Sequence, residues 1–328
     1  MPVDGTEGCL RAFIKLKQQY PTLKVLLSIG GGGTGSQHYA SVARNPLTVE
    51  RFVASAKDLA DKFGLDGFDI NWEHPSTPHQ GSDYLNLLIR LRLQFPSPTY
   101  LLTTALPAGE WALRNINLSW AHHYLDHINL MAYDFSGPWT THSGHQAQLF
   151  TAPPPSIQGQ GTSSSDASCA AAPSCQAGVS YVLAQGVPAK KILLGIPVYG
   201  RAFPGASGVG QPYEGVGGEE RVFDYRDLPR RGAREMHDDL VVAAYCVDVG
   251  DGCAGAGADG NDGEGSSGDG DGGGAAGFIS YDSTRTVRQK ARFVAQMQLG
   301  GLFYWHIAAD AVGERSLVAT GYNALHEF

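Results

Sequence analysis

The chain has 328 residues, 42% of them hydrophobic, enough for one large α/β domain or a barrel carrying an inserted subdomain. Its net charge is −8, its pI is near 5.7 and no Lys/Arg cluster occurs, so neither nucleic acid nor an anionic membrane surface is indicated as a partner. No run of about 18 apolar residues exists, which excludes a transmembrane helix, and residues 1–10, with Asp4 and Glu7, do not read as a signal peptide.

In chain order, residues 10–20 carry apolar positions at helical spacing and lead into a strand at 24–29. A helix is predicted at 48–63, after Asn45-Pro46, with Phe52, Ala56, Leu59 and Phe63 on one face. Strand 67–72, helix 82–95 and strands 100–105 and 127–133 follow. Strand 191–199, KILLGIPVY, is apolar on both faces, as a buried parallel strand is. Helix 287–299 and strand 301–306 complete the series. Strands alternating with helices argue for a parallel sheet with helical crossovers.

Two stretches break this rhythm. Residues 151–177 are rich in Pro, Ser, Gly and Ala and read as a long loop. Residues 250–277 form a Gly/Asp/Ala tract too poor in large apolar groups to offset chain entropy, and read as disordered. The aspartates of this tract fit neither the EF-hand loop nor the nonapeptide calcium repeat. Of five cysteines, the close pairs Cys169/Cys175 and Cys246/Cys253 are either disulfides or free thiols, Cys9 is the odd one, and none has zinc spacing. Asn117-Leu118-Ser119 is a glycosylation sequon, which points weakly to secretion.

The segment Asp66-Gly67-Phe68-Asp69-Ile70-Asn71-Trp72-Glu73-His74-Pro75 carries the chemistry. Side chains alternate across a strand, so Asp69, Asn71 and Glu73 share one face and Phe68, Ile70 and Trp72 the other. Carboxylates and an amide along one face of a buried strand cost free energy unless paired, and a purely structural strand has little reason to carry them. Glu73 stands at the C-terminal end of the strand, where α/β barrels place their active sites.

This segment resembles the signature of the glycoside hydrolase family 18 chitinases, Asp-x-x-Asp-x-Asp-x-Glu. Asp66, Asp69 and Glu73 match it, and His74-Pro75 stands where Tyr-Pro is usual. Ser28-Ile29-Gly30-Gly31 is similar to the family's third strand, Met131-Ala132-Tyr133-Asp134 to its sixth, the run from Gly195 to Arg201 to its seventh, and Trp305 to the tryptophan of its eighth. The run at 129–150, NLMAYDFSGPWTTHSGHQAQLF, resembles the fungal members.

The resemblance implies an α/β fold, the TIM (β/α) barrel, with a small α+β insertion at 202–282 and the barrel itself at 1–201 and 283–328. The segments 203–225 and 240–247 supply the insertion's apolar residues, and the tract 250–277 is its disordered tip. Because 1–23 reads as the helix before the third family strand, the barrel is expected to lack its first two strands, either through a truncated gene model or in a degenerate relative. The implied activity is hydrolysis of β-1,4-linked N-acetylglucosamine polymers, chitin, with endo-action favoured, by a substrate-assisted retaining mechanism without metal or organic cofactor. Glu73 is then the acid/base, Asp69 and Asn71 assist it, and Tyr133 orients the acetamido group. Met131, Asp134, Tyr199, Arg201, Trp305, Gly30 and Gly31 form the sugar site, and Asp66 is structural. A monomer acting outside the cell is expected.

Three departures bear on activity, the first being the missing strands, since six strands cannot close an eight-stranded barrel. Asn71 replaces the third aspartate of the signature and brings no charge to face an oxazolinium cation, a loss of about 2.7–4 kcal/mol in the barrier. Gly32 stands where an aromatic commonly follows Ser-x-Gly-Gly. The rival reading is a chitin-binding, lectin-like relative with reduced or lost catalysis. Among other readings, Gly30 to Gly35 satisfies a dinucleotide fingerprint only formally, since Glu50 begins a helix instead of ending a strand. His122 and His123 are adjacent and cannot share a helix face, His74, His142 and His145 read as loop histidines, and no Gly-x-Ser-x-Gly elbow occurs.

Overall fold

The computed structural model describes residues 8–152, 173–214, 221–250 and 275–327. The chain divides into two compact units. One comprises Met1–Ala132, Cys175–Gly195 and Phe293–Phe303; the other comprises Tyr133–Ser174, Ile196–Arg292 and Tyr304–Phe328.

The first unit carries α1 (Cys9–Gln19), β1 (Leu26–Gly30), α2 (Tyr39–Arg44), α3 (Pro46–Phe63), β2 (Gly67–Asn71), α4 (Pro78–Gln94), β3 (Leu101–Pro107), α5 (Glu110–Leu113), α6 (Leu118–Ala121), β4 (His127–Met131) and α7 (Cys175–Ala184). With β5 (Ile192–Pro197) the strands pair in parallel in chain order, and β11 (Gly301–Trp305) lies beside β5. The last two residues of β5 and of β11 belong to the second unit.

Two helices begin earlier than apolar periodicity suggests. The Asn45 side chain accepts from the Leu47 N–H at 2.9 Å with Pro46 in the first turn, and α3 stops at Gly64, whose φ of +65° suits a left-handed cap. Thr77 and Pro78 open α4 in the same way. Replacing Asn45 by alanine is expected to cost about 1 kcal/mol, read as a lower midpoint in urea unfolding at constant slope.

The alternation across β2 holds. Phe68 and Ile70 are fully buried, Phe68 meets Phe95 at 5.1 Å, and Trp72 stacks on Tyr39 at 5.3 Å with Tyr84 edge-on at 6.1 Å. That apolar face lies under α2 and α4 and leaves the polar face for the site.

The second unit holds an antiparallel sheet in the order β7-β6-β10-β9-β8, formed by β6 (Tyr199–Phe203), β7 (Val222–Asp224), β8 (Met236–Asp238), β9 (Ala243–Asp248) and β10 (Gly277–Tyr281). Phe203, Ala206 and Phe278 form its small core, with Tyr213 and Tyr245 packed against it. The helix α8 (Thr284–Gln296) spans the boundary between the units, and its Lys290 pairs at 2.5 Å with Asp282, both fully buried. The last helix is α9 (Leu317–His326).

The single strand expected at 191–199 is two. Pro197 has no N–H to continue a ladder, the Val198 N–H turns to the Trp305 carbonyl at 2.8 Å, and β6 joins the antiparallel sheet. The stretch 151–177, read as a long loop, falls mostly on 153–172, outside the described residues, and its last three positions, from Cys175, open α7. The tract read as disordered falls mostly on 251–274, outside the described residues, and Gly277 at its end opens β10. Cys169 and Cys253 also lie outside them; Cys175 and Cys246 are buried. No described helix is long and apolar enough to cross a membrane.

Candidate active site

In the first unit the polar residues gather on the inner face of β2 and its neighbours. Asp69 accepts from Ser28 Oγ at 2.7 Å, Thr103 Oγ1 at 2.7 Å and Asn129 Nδ2 at 3.0 Å, so the two flanking strands and β4 beyond β3 each supply it a donor. Tyr39 donates to the Ile29 carbonyl at 2.7 Å; burial, and then the Asp69 charge, push its phenol up, keeping it a donor.

Asn71 is buried, and its Oδ1 has no hydrogen-bond partner among the described residues. An orphaned buried acceptor costs about 1–3 kcal/mol.

Glu73 follows at the end of β2, partly exposed, with its N–H donated to Ser36 Oγ at 2.8 Å. The Ser36 hydroxyl lies 2.8 Å from the Gly31 carbonyl and 3.2 Å from that of Asn71. Gly30 has φ of +107°, and a Cβ there would fall 2.1 Å from the Asn71 carbonyl oxygen. The Gly31 N–H donates to the same oxygen at 2.8 Å. Both glycines therefore shape the backbone behind Glu73. A Cβ at Gly32 would stand 3.4 Å from Glu73 Oε2, so a glycine borders the carboxyl there. Met131 ends β4, in register with Pro107.

Asp66 lies at the opposite end of β2. It accepts from the Val25 N–H at 2.8 Å and pairs with Lys17 at 2.8 Å. Burial alone would raise its carboxyl, but Lys17, the Val25 amide and Lys24 outweigh that and hold it below the usual range.

In the second unit, Asp134 sits at φ of +62° and gathers two donors on Oδ1: Tyr199 Oη and Arg201 Nε, each at 2.6 Å. Tyr133 meets Tyr199 edge-on at 6.1 Å. Burial first, and then the Asp134 charge, push the Tyr199 phenol well up. For Arg201, burial works against the charge and the Asp134 hydrogen bond outweighs it. The guanidinium lies 4.8 Å from the ring centre of Trp139, which is 58% exposed. Gln146 is buried beneath this group and donates to the Tyr199 carbonyl at 2.8 Å. Trp305 is also exposed, with the His306 ring edge-on to it at 5.8 Å. Trp139 is not among the site residues expected from the sequence, where it lies in the turn-rich run between Pro138 and Thr140.

The first group thus offers an acid at a strand end, with an open acceptor and a carboxylate fixed by donors behind it. The second offers an aromatic and charged surface of the kind that grips polar rings. Among the described residues no cluster of His, Cys, Asp or Glu could hold a metal ion.

The profile of the Glycosyl hydrolases family 18 matches residues 3–310. Among curated proteins, the chain is 31% identical over 329 residues to Endochitinase 1 of Metarhizium robertsii, covering 97% of this chain and 69% of that protein. It is likewise 31% identical to Chitinase 1 of Aphanocladium album, with the same coverage. Among solved structures, a class V chitinase from Nicotiana superposes with a TM-score of 0.75 at 27% identity, covering 96% of this chain and 84% of that one, and has also been solved in complex with NAG4. An Ostrinia furnacalis group II chitinase catalytic domain, 23% identical, superposes with a TM-score of 0.76 and shares the fold.

Proposed function

The chain belongs to glycosyl hydrolase family 18, and on that premise we propose that it cleaves internal linkages of β-1,4-linked N-acetylglucosamine polymers of the chitin type by a substrate-assisted, retaining route. The observation that carries the reading is the unpartnered Oδ1 of Asn71, buried two residues before the partly exposed Glu73. In this reading it accepts the N–H of a substrate acetamido group, and that bond makes the group's carbonyl oxygen a positioned nucleophile.

The chemistry then balances within substrate, water and Glu73. Glu73 gives its proton to the glycosidic oxygen as the C1–O bond breaks, and the leaving chain departs as an alcohol. The acetamido oxygen bonds C1 from the opposite face, forming an oxazolinium ion. Glu73, now a carboxylate, takes a proton from water, whose oxygen attacks C1 and reopens the ring. Two inversions give net retention. Asp69, tied to three donors, holds the polar face of β2 in place.

The resemblance assigns the remaining contacts. Tyr133 holds the acetamido oxygen. Asp134, Tyr199 and Arg201 bind sugar hydroxyls, Met131 lines the site, and Trp305 stacks on a ring. An extracellular place of action goes with a polymer of this kind.

Asn71 also favours a second reading, saccharide binding without turnover, because an amide supplies no charge opposite the cation. One experiment separates the two. The chain is mixed with N-acetylglucosamine pentamer and the anomeric protons of the new reducing ends are followed by NMR. The β-anomer is expected first, relaxing later toward the equilibrium mixture. An initial α-excess sinks the retaining route, and line broadening with no new reducing ends leaves the binding protein.

A further inference from the structure

The triplet Asn117-Leu118-Ser119 is the only one of the form Asn-x-Ser or Asn-x-Thr in the chain, and the site described above uses none of it. The fold turns its two polar residues outward. Ile116, Leu118 and Ala121 are buried and hold the segment to the protein, while Asn117, Ser119 and Trp120 are exposed. Asn117 stands at the start of α6, yet its side chain does not cap the helix. Its Oδ1 accepts from Ser119 Oγ at 2.7 Å instead, and its Nδ2 donates to no group among the described residues. A groove of about 470 Å³ beside it, edged by Asn86 of α4 and by Gln185, leaves the amide uncrowded.

Trp120 adds a surface for a group carried on that amide. It lies three residues after Asn117, so the two side chains are neighbours on one face of the turn. The Trp120 N–H donates to the Asn117 carbonyl at 3.2 Å, which fixes that spacing. The indole is 59% exposed, with the His123 ring edge-on to it at 6.3 Å. Buried Leu118 and Ala121 on either side of it anchor the backbone that carries it. The C–H face of a pyranose joined to Asn117 packs well on such a ring.

We propose that Asn117 is an N-glycosylation site and that the first N-acetylglucosamine of its glycan packs on Trp120. In the transfer, the Asn117 amide nitrogen bonds C1 of an oligosaccharide that begins with N-acetylglucosamine and is borne on a polyprenyl diphosphate. The C1–O bond breaks, the diphosphate leaves with the electron pair, and the amide proton passes to a base of the transferase. The inference rests on the extracellular place of action proposed above and is independent of the hydrolysis. Asn117, Ser119 and Trp120 belong to neither group of candidate site residues, so the glycan leaves turnover unchanged.

The test expresses the chain behind a secretion leader in a eukaryotic host and reads residue 117 by peptide mass. The parent and Ser119→Thr are expected to carry a glycan there, and Asn117→Gln and Ser119→Ala to carry none. Transfer acts on the emerging chain, so a variant that folds poorly still reports its occupancy. Trimming the glycan to its first N-acetylglucosamine and then heating reads the contact. The trimmed parent is expected to melt roughly 2 °C above Asn117→Gln, and that difference is expected to vanish when both also carry Trp120→Ala. An unmodified residue 117 in the parent overturns the site. A melting difference that is absent in the parent, or equal with and without the indole, overturns the packing. Turnover of N-acetylglucosamine pentamer keeps this inference apart from the hydrolysis. An active chain with a bare Asn117 removes the inference alone, and a glycosylated chain inert toward the pentamer removes the hydrolysis alone.

Discussion

Glu73→Gln is expected to lower turnover of N-acetylglucosamine oligomers by at least about 10³-fold while leaving their affinity within about twofold of the parent. The amide keeps the size and shape of the carboxyl but has no proton to deliver to the glycosidic oxygen and no charge to draw one from water. Its surroundings tolerate the change. The Glu73 N–H stays bonded to Ser36, the side chain is partly exposed, and Gly32 beside Oε2 leaves room for an NH2 group. Calorimetric titration with the pentamer and a turnover assay on the same preparation check both halves. Parent-like activity would remove Glu73 from the chemistry. Loss of binding together with turnover would instead point to a disturbed Ser36 anchor.

Much of the first group was legible because it depends on local rules. Alternation along a strand places Asp69, Asn71 and Glu73 opposite Phe68, Ile70 and Trp72, and the structure keeps that division. Asn45-Pro46 and Thr77-Pro78 are helix starts written in the chain, although apolar periodicity alone placed both starts too late. Contacts through space were not legible. Nothing in the sequence ties Ser36 to the backbone of Glu73 across 37 positions, or seats Thr103 and Asn129 on Asp69. Lys290 reads as the polar face of a helix, and only the fold shows it buried on Asp282.

Asn71→Asp carries the opposite expectation, a gain. A carboxylate there would face the oxazolinium ion with a negative charge, and a preorganised contact of that kind is worth about 2.7–4 kcal/mol, so kcat should rise by roughly two decades. The structure adds a cost. Asn71 Oδ1 has no donor among the described residues, and a new carboxylate in its place would be desolvated with Asp69 nearby on the same face. Both effects raise a carboxyl's folded pKa above its unfolded value of about 3.9. The stability of the variant relative to the parent is therefore best below that value and is lost as pH rises through the folded pKa. Urea unfolding of the two proteins should give closer midpoints at pH 4 than at pH 8, while kcat on the pentamer moves upward. Substrate supplies the missing partners, first the acetamido N–H and then the cation, so the same charge that burdens the empty site favours the loaded one. An unchanged kcat, with the pH-dependent stability loss present, would mean that the charge is in place and unneeded, and that Asp69 already supplies the field that the cation requires.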